Sequence, residues 1–195
     1  MELLWPGRSE RLDRWTGRGW SAGAESGPGE RDLRLLFERA VGTEPPGPPV
    51  PDGPHARAAR AILAYDVFPP WLIRGVLARR PVQVGDTVGT SYRVVGGVRL
   101  FFAARVVAVE DGEQGGVWRT GFTYRTLAGH PELGEEDFRA EKDLASGAVR
   151  VSLRSWSRAG NLWTRLGAPV MRLAQRHASH AALVHLAQRA QRAHE

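Results

Sequence analysis

The sequence of 195 residues contains no cysteine, which excludes disulfide bridges, thiolate metal sites and cysteine nucleophiles. It also lacks a long hydrophobic run. The stretch 98–109 is interrupted by Arg99 and Arg105, whereas a membrane-spanning helix needs about 20 mostly apolar residues. At the start of the chain, an acidic residue, a proline and Arg8 come before a signal-peptide core could form. We therefore expect a cytoplasmic protein without a membrane span.

Lysine is nearly absent too, since Lys142 is the single lysine and arginine supplies the other basic side chains. The net charge of +6 would attract phosphate groups at low salt. The arginines are scattered along the chain, however, whereas a nucleic-acid-binding face requires a concentrated basic patch. The sequence does not favour a nucleic-acid partner, and arginine-mediated binding of nucleic acid or protein is kept as an alternative function.

The first quarter of the chain has little periodic pattern. Segments 21–30 and 42–54 are rich in glycine, proline and small polar residues, which predicts loops. Two short helices are predicted, over 31–41 and 55–64, from apolar residues at helical spacing. In the first of these helices the apolar residues are Leu33, Leu36, Phe37 and Ala40. We interpret the chain as one domain, 1–195, whose residues 1–54 form an irregular N-terminal part.

From Val82 onward the apolar pattern repeats every two residues, which is typical of strands with one buried face. Short connections between consecutive strands favour antiparallel pairing, because parallel pairing needs a long crossover. Gly96 and Gly97 predict a tight turn between the first two runs. The pattern predicts five strands, within 88–94, 98–106, 118–125, 136–144 and 149–154.

The last segment predicts one long helix, from Asn161 to about Arg192, with Asn161 as its N-cap. Pro169 removes a backbone donor, so we expect a kink near Gly167. The apolar stripe steps by three and four residues through Leu162, Leu166, Val170, Leu173, His177, Ala181 and Val184. Together these elements predict an α+β fold, in which a curved antiparallel sheet packs on a long C-terminal helix over residues 65–192.

Several motifs together resemble those of DUF1990, a family described as a domain of unknown function. The resemblance runs from Tyr65 to about Leu186. Its motifs are Gly121-Phe122-Thr123-Tyr124, Leu127, Gly129-His130-Pro131-Glu132, Gly134-Glu135-Glu136, Phe138, Ser157-Arg158, Leu162 to Gly167, and Pro169-Val170. The family is similar to the START and polyketide-cyclase-like helix-grip superfamily. This resemblance implies a sheet that wraps a long C-terminal helix and usually leaves a cavity between them.

Residues 129–136 bring one imidazole and three carboxyl groups into a predicted strand-to-strand connection. His130 could exchange protons near neutral pH, with Glu132, Glu135 or Glu136 orienting it. The alternative is that His130 and Pro131 only shape a turn while the glutamates pair with arginine or solvent. The spacing matches no recognised metal-ligand pattern, so neither a metal nor another cofactor is predicted.

Other side chains are candidates for contact with a ligand. Phe122, Tyr124 and Trp156 could form an aromatic lining, with Ser155 as a polar tip, although core packing explains aromatic residues equally well. Arg105 lies within an apolar strand, where a guanidinium must be paired or reach water, so it could bind a carboxylate. His177 interrupts the apolar stripe of the helix, which predicts either a cavity-facing ring or a buried hydrogen-bonded one with a lowered pKa.

We therefore hypothesise a module that binds a small apolar or amphipathic molecule between the sheet and the C-terminal helix. The residues predicted to bind it are Arg105, Phe122, Tyr124, His130, Glu136, Ser155, Trp156 and His177. The alternative is an enzyme that uses the same cavity, with His130 and Glu132 or Glu136 as acid and base. Neither a nucleophile elbow nor a phosphate-binding glycine loop is present in the sequence.

Overall fold

The computed structural model describes residues 1–23, 27–30, 32–159 and 168–192, which contain eight strands, three α-helices and one short 3-10 helix, Val95–Gly97. The strands are β1 (Glu2–Leu4), β2 (Leu33–Thr43), β3 (Ile73–Val76), β4 (Thr87–Arg93), β5 (Arg99–Gln114), β6 (Val117–Thr126), β7 (Glu132–Asp143) and β8 (Ala148–Ala159). The helices are α1 (Asp13–Thr16), α2 (Pro54–Leu63) and α3 (Ala168–Gln191).

All strands belong to one antiparallel sheet in the order β2-β8-β7-β6-β5-β4-β3. Strands β3 to β8 are neighbours in the sheet in the order in which they follow along the chain, as short connections favour. Strand β2 is the edge strand beside β8. Strand β6 pairs with β5 only from Ala104 onward, so the start of β5 is free to pair with β1. The curled sheet with a terminal helix confirms the predicted fold class.

The main core lies between the sheet and the helices α2 and α3. Helix α2 buries Ala58, Ala59 and Ile62, while α3 presents small residues such as Ala182 and Ala190. The sheet contributes aromatic and branched side chains, which are Val106, Phe122, Tyr124, Phe138, Val151 and Leu153. Alanine on the helices and large residues on the strands allow close approach of the two layers, which buries apolar area.

Two strand glycines explain the tight pairing around β7. A Cβ atom on Gly121 would lie 2.0 Å from the carbonyl oxygen of Phe138 on β7. A Cβ atom on Gly134 would lie 2.0 Å from the carbonyl oxygen of Trp156 on β8. No other residue fits at this separation, so glycine permits the close backbone approach on both sides of β7.

The N-terminal part is more ordered than predicted, because it supplies β1, α1 and β2. Trp15 of α1 is fully buried, its ring packs edge-on against Phe101 of β5 at 6.3 Å between centroids, and its Nε1 donates to Glu2. These contacts form a second apolar cluster with Leu4 and Leu127. Residues 1–20 thus cover a face of the sheet instead of forming an irregular segment.

The predicted helix over 31–41 is wrong, since residues 33–41 lie in strand β2. Leu33, Leu35 and Phe37 are partly buried while Arg34 and Leu36 are exposed, which is a two-residue period. Backbone pairing with β8, more than 100 residues later, stabilises the strand. The predicted loop at 42–54 accordingly begins after Thr43. In contrast, the helix predicted over 55–64 corresponds to α2.

The long C-terminal helix is present, but its buried face differs from the predicted stripe. Leu173 is 71% exposed and His177 is also exposed, whereas Ala178, Ala182 and Leu186 are buried. The buried face is shifted by one residue, because alanines make the close contacts. Asn161 and the kink predicted near Gly167 lie outside the described residues.

A buried ion pair fixes the connection between β2 and α2. Lys142 Nζ lies 2.9 Å from Glu44 Oε2, and neither side chain is more than 1% exposed. The lysine also donates to Pro48 O at 2.8 Å, while Glu44 accepts the backbone N–H groups of Val50 and His55. These hydrogen bonds satisfy both charges, as burial requires. The single lysine of the chain therefore has a structural role.

None of the helices in the described ranges has the length and apolar character to cross a bilayer.

Candidate functional site

A cavity of about 250 Å³ lies between the sheet and the first half of α3. Its walls are mostly apolar and come from the loop after α2, from β3 and β5, from the connection between β6 and β7, and from α3. They are formed by Phe68, Ile73, Leu100, Phe102, Pro131 and Ala178.

One side of the cavity is polar, and strand β7 supplies most of its charge. Residues two apart on a strand share a face, so Glu132 and Glu136 both line the cavity while Glu135 points away. Glu135 is instead bound to Arg125 at 2.6 Å. Glu132 and Glu135 were predicted in a strand-to-strand connection and Glu136 at its boundary with the next strand, whereas the structure places all three in β7. Because side chains alternate between the two faces of a strand, Glu132 and Glu136 face the cavity while Glu135 forms an ion pair on the other face.

Glu136 is held at the polar side by a cross-strand partner. Its register partner on β6 is Tyr124, whose hydroxyl donates a hydrogen bond to Glu136 Oε2. Burial raises the pKa of Glu136 to about 7, and the nearby Glu132 carboxyl raises it as well, while the hydrogen bond from Tyr124 lowers it. The pKa of Tyr124 is raised well above its usual value, chiefly by burial and then by Glu136. Near neutral pH this carboxyl exchanges a proton readily.

Glu132 also lines the cavity, and burial raises its pKa to about 7. The backbone of Glu132 contacts the His130 ring, whose Nδ1 lies 2.7 Å from the Glu132 carbonyl oxygen. Two carboxyl groups with pKa values near 7 therefore lie in one cavity. Such displaced pKa values are typical of functional sites, although structural networks produce them as well.

His130 lies in the connection that leads into β7, where its amide donates to Leu127 O at 2.9 Å. Burial lowers the pKa of His130 to about 3, so the ring is neutral. Its Nδ1 lies 2.7 Å from the carbonyl oxygen and 3.1 Å from the amide nitrogen of Glu132, and a neutral ring can make only one of these two hydrogen bonds. The shorter contact, to the carbonyl oxygen, favours a proton on Nδ1. We therefore assign Nε2 as a hydrogen-bond acceptor. Phe102 packs edge-on against the ring, with 4.6 Å between centroids, and fixes its orientation.

Four of the other predicted residues lie in or next to the cavity. Tyr124 lines the cavity, and Ser155 and Trp156 line an adjoining cleft of about 30 Å³ that also contacts Glu136. Trp156 Nε1 donates to Glu135 at 3.2 Å, on the opposite side of β7 from Glu136. Phe122 belongs to the core beneath the cavity, where it packs against Phe138 at 5.5 Å between ring centroids.

Arg105 and His177 lie outside the cavity, contrary to prediction. Arg105 Nη2 donates to the carbonyl oxygens of Thr16 and Arg18, at 2.7 and 3.1 Å, so this guanidinium fixes the N-terminal segment on the sheet. His177 is exposed and contacts Trp71, with 6.4 Å between ring centroids. The histidine of α3 that is buried is His185, whose Nε2 lies 3.1 Å from Asp66 Oδ1.

The sequence interpretation missed several lining residues. Gln175 was not singled out, yet it lines both the cavity and the adjoining cleft, and its Oε1 is buried without a hydrogen-bond partner among the described residues. A polar residue one turn before Ser179, on the same face of α3, was the available signal. Leu100 and Phe102 were recognised as apolar strand residues but not as cavity walls. In the described ranges, no group of three or more His, Asp or Glu side chains is arranged to hold a metal ion.

Comparison with solved structures identifies the class of fold. The chain is similar to a hypothetical protein from Helicobacter pylori, with a TM-score of 0.54, 14% identity, and coverage of 84% of this chain and 91% of the other. It is also similar to major latex-like protein 151 from Panax ginseng, with a TM-score of 0.50, 11% identity, and coverage of 83% and 99%. The curled antiparallel sheet against a C-terminal helix is thus a helix-grip fold. At such identities the likeness concerns the fold alone.

The family follows from sequence. A family model described as "Domain of unknown function (DUF1990)" matches residues 40–184, so the chain belongs to this family, as the motifs around His130 indicated. Two relatives carry the name UPF0548 protein. The one from Dictyostelium discoideum is 39% identical over 102 residues, which are 49% of this chain and 47% of that protein. The one from Deinococcus radiodurans is 33% identical over 129 residues, 62% of this chain and 63% of that protein. The chain thus spans less than two thirds of the length of either relative.

Proposed function

We propose that this protein binds a small apolar or amphipathic molecule in the cavity between the sheet and α3. The observation that carries this proposal is the cavity itself, which has apolar walls around Phe102 and Ala178 and a polar side around Glu136. Binding sites for small molecules are commonly concave and mostly apolar, with a few polar groups that fix orientation. At about 250 Å³ the cavity is below the usual range of about 300–1,000 Å³ for drug-sized ligands. The ligand is therefore small, of the size of a single ring with a short side chain.

Native mass spectrometry of the purified full chain tests this proposal when combined with a variant that fills the cavity. In Ala178→Phe, a ring on the buried face of α3 occupies space next to Phe102. Leu173→Phe is the matched control, because it adds a ring to an exposed position on the same helix. We expect a co-purifying or added small molecule to remain bound in wild type and in the control but not in Ala178→Phe. Equal binding by all three proteins would contradict the proposal.

A second candidate function is acid–base catalysis in the same cavity. It is favoured by the convergence of a neutral His130 with Glu132 and Glu136, whose pKa values of about 7 suit proton transfer near neutral pH. A screen of small carbonyl and ester substrates with wild type, His130→Ala and Glu136→Gln tests this function. Turnover that both variants abolish, with binding retained, would establish an enzyme. Binding without turnover of any substrate would leave the binding module.

A further inference from the structure

Strand β7 contains both carboxylates that pair with an arginine and carboxylates that do not. Glu135 binds Arg125 at 2.6 Å, Asp137 binds Arg139 at 2.9 Å, and Glu141 binds Arg150 at 2.7 Å. The two glutamates of the same strand that line the cavity have no arginine or lysine among their described contacts. In a chain with 27 basic residues, the described lining of the cavity includes none of them. The α-amino group of Met1, which also lines the cavity, donates to the carbonyl oxygen of Gly129. Among the described residues, Glu132 and Glu136 therefore have no basic partner.

Two of the remaining polar groups of the cavity offer hydrogen-bond acceptors. Gln175 Oε1 is buried without a described partner, and Nε2 of His130 is the acceptor nitrogen of a neutral ring. The hydroxyl of Tyr124, a donor, is already used by Glu136. A ligand group with several N–H donors and a positive charge would satisfy these acceptors together.

We propose that the ligand is a small amine, whose protonated nitrogen binds Glu132 and Glu136 while its apolar body lies against Phe102 and Ala178. This inference rests on the proposed function of the cavity. The ammonium group supplies the donors that the acceptors lack, and a charge-assisted hydrogen bond to a carboxylate is stronger than one between neutral groups.

The amine must compete with protons for the carboxylates, so binding depends on pH. The titratable groups that face the cavity are Glu132 and Glu136 from β7, Tyr124 from β6, Tyr92 from β4, His130 from the β6–β7 connection and the α-amino group of Met1; α3 contributes the uncharged Gln175. Burial lowers the pKa of the Met1 α-amino group. An alkylamine stays protonated up to a pH of about 10, as lysine does. Affinity for the amine should therefore rise as the carboxyl groups ionise and become constant above pH 8.

Isothermal titration calorimetry of the full chain with 2-phenylethylamine, 2-phenylethanol and phenylacetate tests the inference, since the three probes share one ring and differ in charge. At pH 8 we expect the amine to bind at least about tenfold more tightly than the alcohol, and phenylacetate to bind most weakly. Affinity for the amine should fall about tenfold from pH 8 to pH 6 as one carboxyl is protonated. Affinity for the alcohol should hardly change.

Replacing single glutamates by the isosteric glutamine tests whether Glu132 and Glu136 bind the amine. Glu132→Gln and Glu136→Gln should each lose about tenfold or more in affinity for 2-phenylethylamine and keep their affinity for 2-phenylethanol. Glu38→Gln removes an exposed carboxylate of β2 outside the cavity and should change neither affinity. If the alcohol binds as tightly as the amine, or if phenylacetate binds best, the amine inference is overturned while the cavity remains a binding site. If none of the three probes binds at millimolar concentration, both proposals are overturned.

Discussion

Replacing Glu136 by glutamine should change how the stability of the protein depends on pH. The pKa of this carboxyl is about 7 in the folded protein and 4.5 in the unfolded chain, so the folded state holds its proton more tightly. Stability therefore falls as the pH rises from 4.5 to 7, because the unfolded chain ionises first. The loss amounts to about 3 kcal/mol, at about 1.4 kcal/mol for each pH unit between the two pKa values. Glutamine does not ionise, so Glu136→Gln should lack this loss.

Urea unfolding of wild type and Glu136→Gln at pH 4.5, 6 and 8 measures the effect as a difference of unfolding free energies. Glu132 and His130 are present in both proteins, so the difference contains the titration of Glu136 together with its coupling to Glu132. We expect Glu136→Gln to gain about 3 kcal/mol relative to wild type between pH 4.5 and pH 8. The control Glu38→Gln, at an exposed position, should stay at a constant offset from wild type. Parallel curves for wild type and Glu136→Gln would refute the reasoning.

Three further changes test the structural account by chemical denaturation. Lys142→Met leaves Glu44 buried without its cation and should cost about 3 to 5 kcal/mol; a neutral effect would contradict the pair. Gly121→Ala forces a Cβ atom against the carbonyl oxygen of Phe138 and should cost at least about 3 kcal/mol, whereas a stable variant would show that the strands are not so close. His177→Ala should change stability by less than about 0.5 kcal/mol, since the side chain is exposed, and a large loss would contradict its placement.

The sheet was predictable where alternation coincided with short connections. The runs around Phe102, Phe122 and Leu153 became β5, β6 and β8, because each has a two-residue period and a sequence neighbour to pair with. The strand β2 was not, since Leu33, Leu36 and Phe37 also fit a helical period. Its partner β8 lies more than 100 residues later, and local pattern contains no information about such pairing.

The candidate site was predicted in part. The motif from His130 to Glu136 indicated where acid and base groups come together, and the structure places His130, Glu132 and Glu136 around one cavity. The roles of Arg105 and His177 were not predictable from their own neighbourhoods. Arg105 is engaged by backbone carbonyls of an N-terminal segment that its strand pattern does not reveal. His177 was misplaced because alanines, which carry little apolar signal, form the buried face of α3.

The most direct test of the central claim is a crystal structure of the protein pressurised with xenon, which enters apolar cavities. The account predicts xenon between β5 and α3, in contact with Phe102 and Ala178. An interior in which side chains fill this space and admit no xenon would contradict it.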